Sequence, residues 1–141
     1  MGSVVTIDDI SISKLNKIKV KNGDVFHGIK NSDLGFKNFG ELYFSYIDFN
    51  TIKAWKMHKE MTMNLIMPVG NCLFVFMDQS GNFRKEKIGV NNYVRITVPP
   101  NIWFGFKGLS KSLNLLINLS DIIHSKREVV NKKIIEIDYQ W

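Results

Sequence analysis

Short runs of β-branched and aromatic residues recur roughly every 8 to 12 residues along this chain, each closed by a turn signal. No stretch of useful length keeps a helical period. "ISKLNKIKV" alternates and runs into Asn22-Gly23, a pair suited to a tight hairpin because both residues tolerate positive φ. "FGELYFSYIDF" puts Leu42, Phe44 and Tyr46 on one face and Tyr43, Ser45 and Ile47 on the other. "TIKAWKMH", "MNLIMPVG", "CLFVFMD", "FRKEKIGV", "NNYVRITVPP" and "SLNLLINLS" continue the series, with "QSGN" (79 to 82) as a second tight turn. "SDIIHSKREVVNK" offers at most one short turn or helix and reads as a charged surface face. Many short strands at this spacing imply an all-β sandwich or barrel, whose mouth is lined by alternating side chains and is where a ligand sits.

At 141 residues, with 45% hydrophobic side chains and no low-complexity tract, the chain suits a single domain with one core. Its net charge of +6 admits an anionic partner such as a nucleotide or a phosphate. The lysines are scattered, with no basic helical stripe, so a nucleic-acid surface is not expected. Cys72 is the only cysteine, which excludes an intramolecular disulfide, and its place in "NCLFVFM" reads as a buried thiol. No run reaches 18 apolar residues, and the N-terminus lacks a basic start followed by an apolar core. The expectation is a cytoplasmic protein without a membrane span.

The stretch "KAWKMHKEMTMNL" (53 to 65) carries the chemistry. Strict alternation puts Lys53, Trp55 and Met57 on one face and Ala54, Lys56 and His58 on the other. A strand face holding Lys56 and His58 either meets solvent or lines a pocket. Glu41 enters an apolar strand, which is costly unless it is paired or sits at a mouth, so contact with Lys53 or a ligand hydroxyl is expected. His27 and His124 read as surface residues.

The segments "FGELYFSYIDFNTIKAWKMHKEMTMNL", "PVGNCLFVF" and "VPPNIWFGFKGLS", with the closing "IIEIDYQW", resemble the cupin-type dTDP-4-dehydrorhamnose 3,5-epimerases over about residues 20 to 141. The resemblance implies a double-stranded β-helix, the cupin jelly roll, as one domain over residues 1–141. It also implies a homodimer acting on a nucleotide-linked keto-deoxysugar in surface carbohydrate biosynthesis, without a cofactor. In that family a His held by a carboxylate removes the proton beside a ketone, a Tyr reprotonates, and cations stabilise the enolate oxygen. Laid on this chain, the base position falls on Lys56, the cation three residues earlier on Lys53, and the acid Tyr on Ile117. The usual His/Tyr pair is therefore replaced.

A sister group, the cupin 3,4-ketoisomerases of dTDP-keto-sugars, carries an "HxHK" stretch on the same strand. Here "KMHK" keeps its second His as His58, with Arg95 as the candidate binding arginine. Trp103 and Phe104, beside "PP", are candidates to stack on a base or sugar ring. Metal-binding cupins need about three His and a carboxylate. Those positions fall on Lys56, His58, Met63 and Phe104, so no metal is expected. The candidate set is thus Lys56 and His58 for catalysis and Lys53, Glu41, Arg95, Trp103 and Phe104 for binding. The rival class is a non-catalytic nucleotide-sugar binding cupin.

Overall fold

The structure, a computed structural model, describes residues 4–141. Twelve strands are present among them: β1 (Ser11–Lys14), β2 (Lys17–Ile18), β3 (Val25–Phe26), β4 (Glu41–Tyr46), β5 (Ile52–His58), β6 (Met63–Val69), β7 (Asn71–Met77), β8 (Phe83–Gly89), β9 (Val94–Val98), β10 (Trp103–Gly108), β11 (Leu115–Ser120) and β12 (Val129–Asn131). They form two five-stranded antiparallel sheets, ordered β1-β9-β6-β11-β4 and β12-β5-β10-β7-β8, plus the small β2-β3 ribbon. The two sheets face one another in the jelly-roll arrangement. No helix among the described residues is long and apolar enough to cross a membrane.

The expected turns form for the expected reasons. Asn22 (φ 73) and Gly23 (φ 146) turn β2 into β3, although each strand keeps only two residues. In "QSGN", Gly81 takes φ 83, and Asp78 Oδ1 accepts the Ser80 and Asn82 N–H groups.

Between the sheets lies an apolar core that includes Leu65 and Met67 of β6, Phe74 and Phe76 of β7, Ile96 of β9 and Phe106 of β10. Each such side chain contributes about 1.5–3 kcal/mol on burial. The outer face of the second sheet carries a separate cluster, Trp55, Val75, Trp103 and Ile137, closed over by Tyr139 and Trp141. Trp103 is therefore part of an outer packing layer and not a platform for a ligand, which corrects the stacking role expected for it.

Arg95 is also reassigned. It is 2% exposed, on the outer face of the first sheet. Its Nε donates to Asn64 Oδ1, Nη1 to Gly28 O and Asp33 Oδ2, and Nη2 to Leu34 O and Ser13 Oγ. The guanidinium staples the 28–34 loop across β6 and β9. Its donors are all taken up by the protein's own acceptors, so a substrate-binding role has no free group to use.

The segment read as a charged surface face, "DIIHSKREVVNKK", instead leads into β12, which pairs with β5 through Val129↔His58, Val130↔Met57 and Asn131↔Lys56. It buries Glu128, 3% exposed.

Candidate active site

A bulge in the pairing of β5 with β10 shapes the site. Phe104 pairs with Lys56, and Phe106 with Lys53. Phe104 and Phe106 are two residues apart on β10 and share a face. Their partners are three apart on β5, so the extra residue at the bulge brings Lys53 onto the face of Lys56 and His58. Strict alternation had assigned Lys53 to the opposite face. Gly105 stands at this irregularity, and a Cβ there would meet the Ala54 methyl and the Trp141 ring. Trp55 faces outward, with its Nε1 donating to Ile134 O, and anchors the bulge from behind.

These side chains line one end of the space between the sheets, a cavity of about 590 Å³. Its walls include Glu41 and Tyr43 of β4, Lys53, Lys56 and His58 of β5, Met63 of β6, Phe104 of β10, Asn118 of β11, and Lys132 with His124 near the mouth. Lys53, Lys56, His58, Glu41 and Phe104 thus converge as a group, while Arg95 and Trp103 lie elsewhere. The position expected for the acid, Ile117, pairs with Phe44 on the outer face, and the cavity-facing residues of β11 are Leu116 and Asn118. A one-residue slip along a strand exchanges the two faces.

At the centre is His58, 4% exposed, with Nδ1 2.6 Å from Glu128 Oε2. Glu128 Oε1 accepts the Met61 N–H. A carboxylate at Nδ1 selects the tautomer with the proton there and leaves Nε2 as a free base. Phe104 stacks on the imidazole at 5.8 Å and 17°. Burial drives the His58 pKa below its ordinary 6.5, helped by the Lys56 and His124 charges and opposed by Glu128. Burial acts to raise Glu128, but the His58 hydrogen bond and the Met61 and Glu60 N–H groups outweigh it and hold the carboxyl below its usual value. The result at neutral pH is a neutral imidazole oriented by an ionised carboxylate.

No His or carboxylate partner of this kind reaches Lys56, whose amine makes no hydrogen bond or ion pair among the described residues. Lys53 Nζ donates to Tyr46 O, and Lys132 Nζ lies 4.8 Å over the Trp103 ring. Glu41 Oε1 accepts the His124 N–H rather than contacting Lys53. No group of three or more His, Cys, Asp or Glu side chains among the described residues is placed to hold a metal ion.

Glu128 and Lys132 are two of the site residues that sequence reasoning missed. Both sit in a run of mixed charges that looks like a solvated face. The available signal was Glu128 standing directly before Val129-Val130, the same charge-entering-a-strand argument that singled out Glu41.

No protein-family model and no curated protein matches the sequence. Solved structures do. The dTDP sugar isomerase of Desulfovibrio desulfuricans G20 is 29% identical, with a TM-score of 0.92 over 99% of this chain and 95% of that one. The QdtA sugar 3,4-ketoisomerase of Thermoanaerobacterium thermosaccharolyticum, solved in complex with TDP, is 14% identical, with a TM-score of 0.78 over 93% of each chain. The dTDP-4-dehydrorhamnose 3,5-epimerase of Sulfolobus tokodaii is 18% identical, with a TM-score of 0.79 over 92% of this chain and 80% of that one. The two lower identities speak to the fold alone, and the first extends the likeness through the sequence. The chain thus shares the cupin-like fold of these dTDP-sugar epimerases and isomerases, and resembles the first of them in sequence as well.

Proposed function

We propose that this chain, as one cupin domain over residues 1–141, is an isomerase of a dTDP-linked 4-keto-deoxysugar that moves a proton from the carbon beside the ketone to the carbonyl carbon itself. The observation that carries this reading is the buried His58–Glu128 pair, with Nε2 of His58 left without a hydrogen-bond partner among the described residues. The carboxylate partners His58 and not Lys56, so the base stands at the second His of the ketoisomerase stretch and not at the position of the epimerase base. Lys56, Lys53 and Lys132 supply positive charge along the same wall, suited to a diphosphate. The TDP bound in the ketoisomerase structure is the kind of ligand this charge fits. Work on a nucleotide sugar would place the protein in the cytoplasm, where such substrates are made.

The test is proton NMR of the protein with dTDP-4-keto-6-deoxyglucose in deuterated water. Deuterium entering beside the ketone, together with a shifted keto group, supports isomerisation. Line broadening of the thymidine signals without exchange would mean a binding module that lacks this chemistry. Lys56→Ala should weaken TDP binding by about tenfold or more, as expected for one charge-assisted contact, while bound substrate still turns over. Loss of turnover with affinity intact would move the base to Lys56.

The homodimer reading has its own support. On the outer face of β4 and β11 stand Leu42, Phe44 and Tyr46, 45%, 56% and 56% exposed, beside Leu115, Ile117 and Leu119, with no charged residue among them. β4 is also a sheet edge. A bare apolar face of this kind favours association, and a two-fold pairing of the same face satisfies it without a foreign partner. Phe44→Asp should convert a dimer to a monomer in light scattering, and a monomeric parent protein would remove the reading.

A further inference from the structure

The mechanism so far provides a base and no acid, and the cavity holds a second group of polar side chains that the base does not use. Tyr43 faces Asn118 across the β4–β11 pair. Asn118 Nδ2 donates to the Tyr43 hydroxyl at 2.8 Å. The direction of that bond is settled by the other end of the amide, because Asn118 Oδ1 accepts the backbone N–H of Asn64 at 3.2 Å. A main-chain N–H can only donate, so the oxygen must lie on that side and the NH₂ must point at the phenol.

The consequence for Tyr43 is a matter of counting. Its oxygen accepts from Asn118, so its own proton has to go elsewhere. Among the described residues its only other partner is the Met61 thioether, 3.8 Å away, a weak acceptor. The phenol proton is thus lightly held beside the cavity, ready for a ligand oxygen. Met61 also joins this group to the base: it is fully buried, its N–H is accepted by Glu128 and its sulfur lies against both Tyr43 and Asn118. Burial raises the Tyr43 pKa, and the Asn118 bond opposes that rise.

We infer that Tyr43 is the proton donor of this site and that Asn118 is the positioning residue that obliges it to donate, an assignment that rests on the isomerase reading above. The protons balance. The C3–H bond breaks and its proton passes to His58 Nε2. The C4 carbonyl oxygen takes the Tyr43 proton, giving an enediol. The phenolate then takes the proton of the C3 hydroxyl, and His58 returns its proton to C4. Hydrogen moves from C3 to C4 and the carbonyl from C4 to C3, with no oxidant or reductant required. The acid function expected on β11 is met here by a phenol on β4, held by the amide of Asn118, the cavity-facing neighbour of Ile117.

Asn118→Asp tests it. The carboxylate keeps an oxygen for the Asn64 N–H but presents a second acceptor to the phenol, so the Tyr43 proton turns inward. The turnover number should fall about 100-fold, the scale of a lost general acid. KM and TDP affinity should be unchanged. Tyr43→Phe should cost the same, and the double variant should be no worse than Tyr43→Phe alone. Additive losses, or an Asn118→Asp variant with normal turnover, would overturn the assignment. Tyrosinate absorbance of the ligand-free protein, taken as the difference from Tyr43→Phe, gives an independent reading: Asn118→Asp must move the Tyr43 ionisation to higher pH. Asn118→Ser, which removes the donor without adding charge, serves if the Asp variant does not fold. Should the parent protein show no exchange with the keto-sugar, the isomerase reading falls, and the tyrosinate titration still decides whether Asn118 controls Tyr43.

Discussion

Replacing His58 with Asn removes deuterium exchange beside the ketone, with a loss of about 10²–10⁴-fold, the contribution of a positioned general base. TDP binding should survive, because the positive charge of the cavity comes from the lysines along its wall and not from His58. The parent protein should also show a characteristic pH profile. A base works only when unprotonated, so activity is present above the folded pKa of His58 and is lost as pH falls through it. Burial sets that pKa below 6.5, so the acid limb lies below 6.5 and not above it. If Tyr43 is the acid, the alkaline limb lies above pH 10, because burial raises its ionisation and an acid fails once deprotonated.

Stability follows the same direction. A His with a depressed folded pKa takes up protons more readily when unfolded, so its contribution is lost on acidification below 6.5. Glu128, held below 4.5 in the folded state, has its contribution present above 4.5 and lost as pH falls further. An acid limb of activity above 6.5, or full exchange in the Asn variant, would mean that another group is the base.

The second large effect concerns stability and not chemistry. Arg95→Ala removes the staple between the 28–34 loop and the first sheet, leaves Gly28 O and Leu34 O without their donor, and takes from Asn64 Oδ1 one of its two donors, the other being the Thr97 hydroxyl. The loss of charge-assisted bonds on a buried group should cost about 3 kcal/mol, lowering the melting temperature by on the order of 10 °C. TDP affinity of the folded protein should not change, because Arg95 is on the far side of the sheet from the cavity-facing residues. Thermal unfolding and calorimetric titration of the same variant separate the two roles. A normal melting temperature with lost affinity would return Arg95 to the binding site.

Arg95 shows why residue type is a weaker guide than residue position. An arginine in an apolar strand is equally compatible with an anion site and with a buried staple, and the sequence carries no mark that separates them. The structure separates them by supplying acceptors from Ser13, Gly28, Asp33, Leu34 and Asn64, all distant in the chain. Trp103 and Phe104 make the same point at closer range. They are neighbours, so on a strand one must face the cavity and the other the outer layer, and only the placement of β10 says which.

The sequence by itself determined the fold class and a polar strand that lines the cavity. Period-two patterning and turn residues act locally, so strands, the Asn22-Gly23 and "QSGN" turns, and a polar strand face with Lys56 and His58 were legible without coordinates. What only the tertiary structure decided depends on register and on distant partners. The bulge on β5 adds one residue to the count and carries Lys53 to the face of Lys56 and His58. The register of β11 turns Ile117 outward and Asn118 inward. The carboxylate that orients His58 comes from 70 residues further along. Alternation in a single strand fixes relative faces but neither an inserted residue nor the identity of a cross-barrel neighbour, because both are settled by how the whole set of strands pairs and packs.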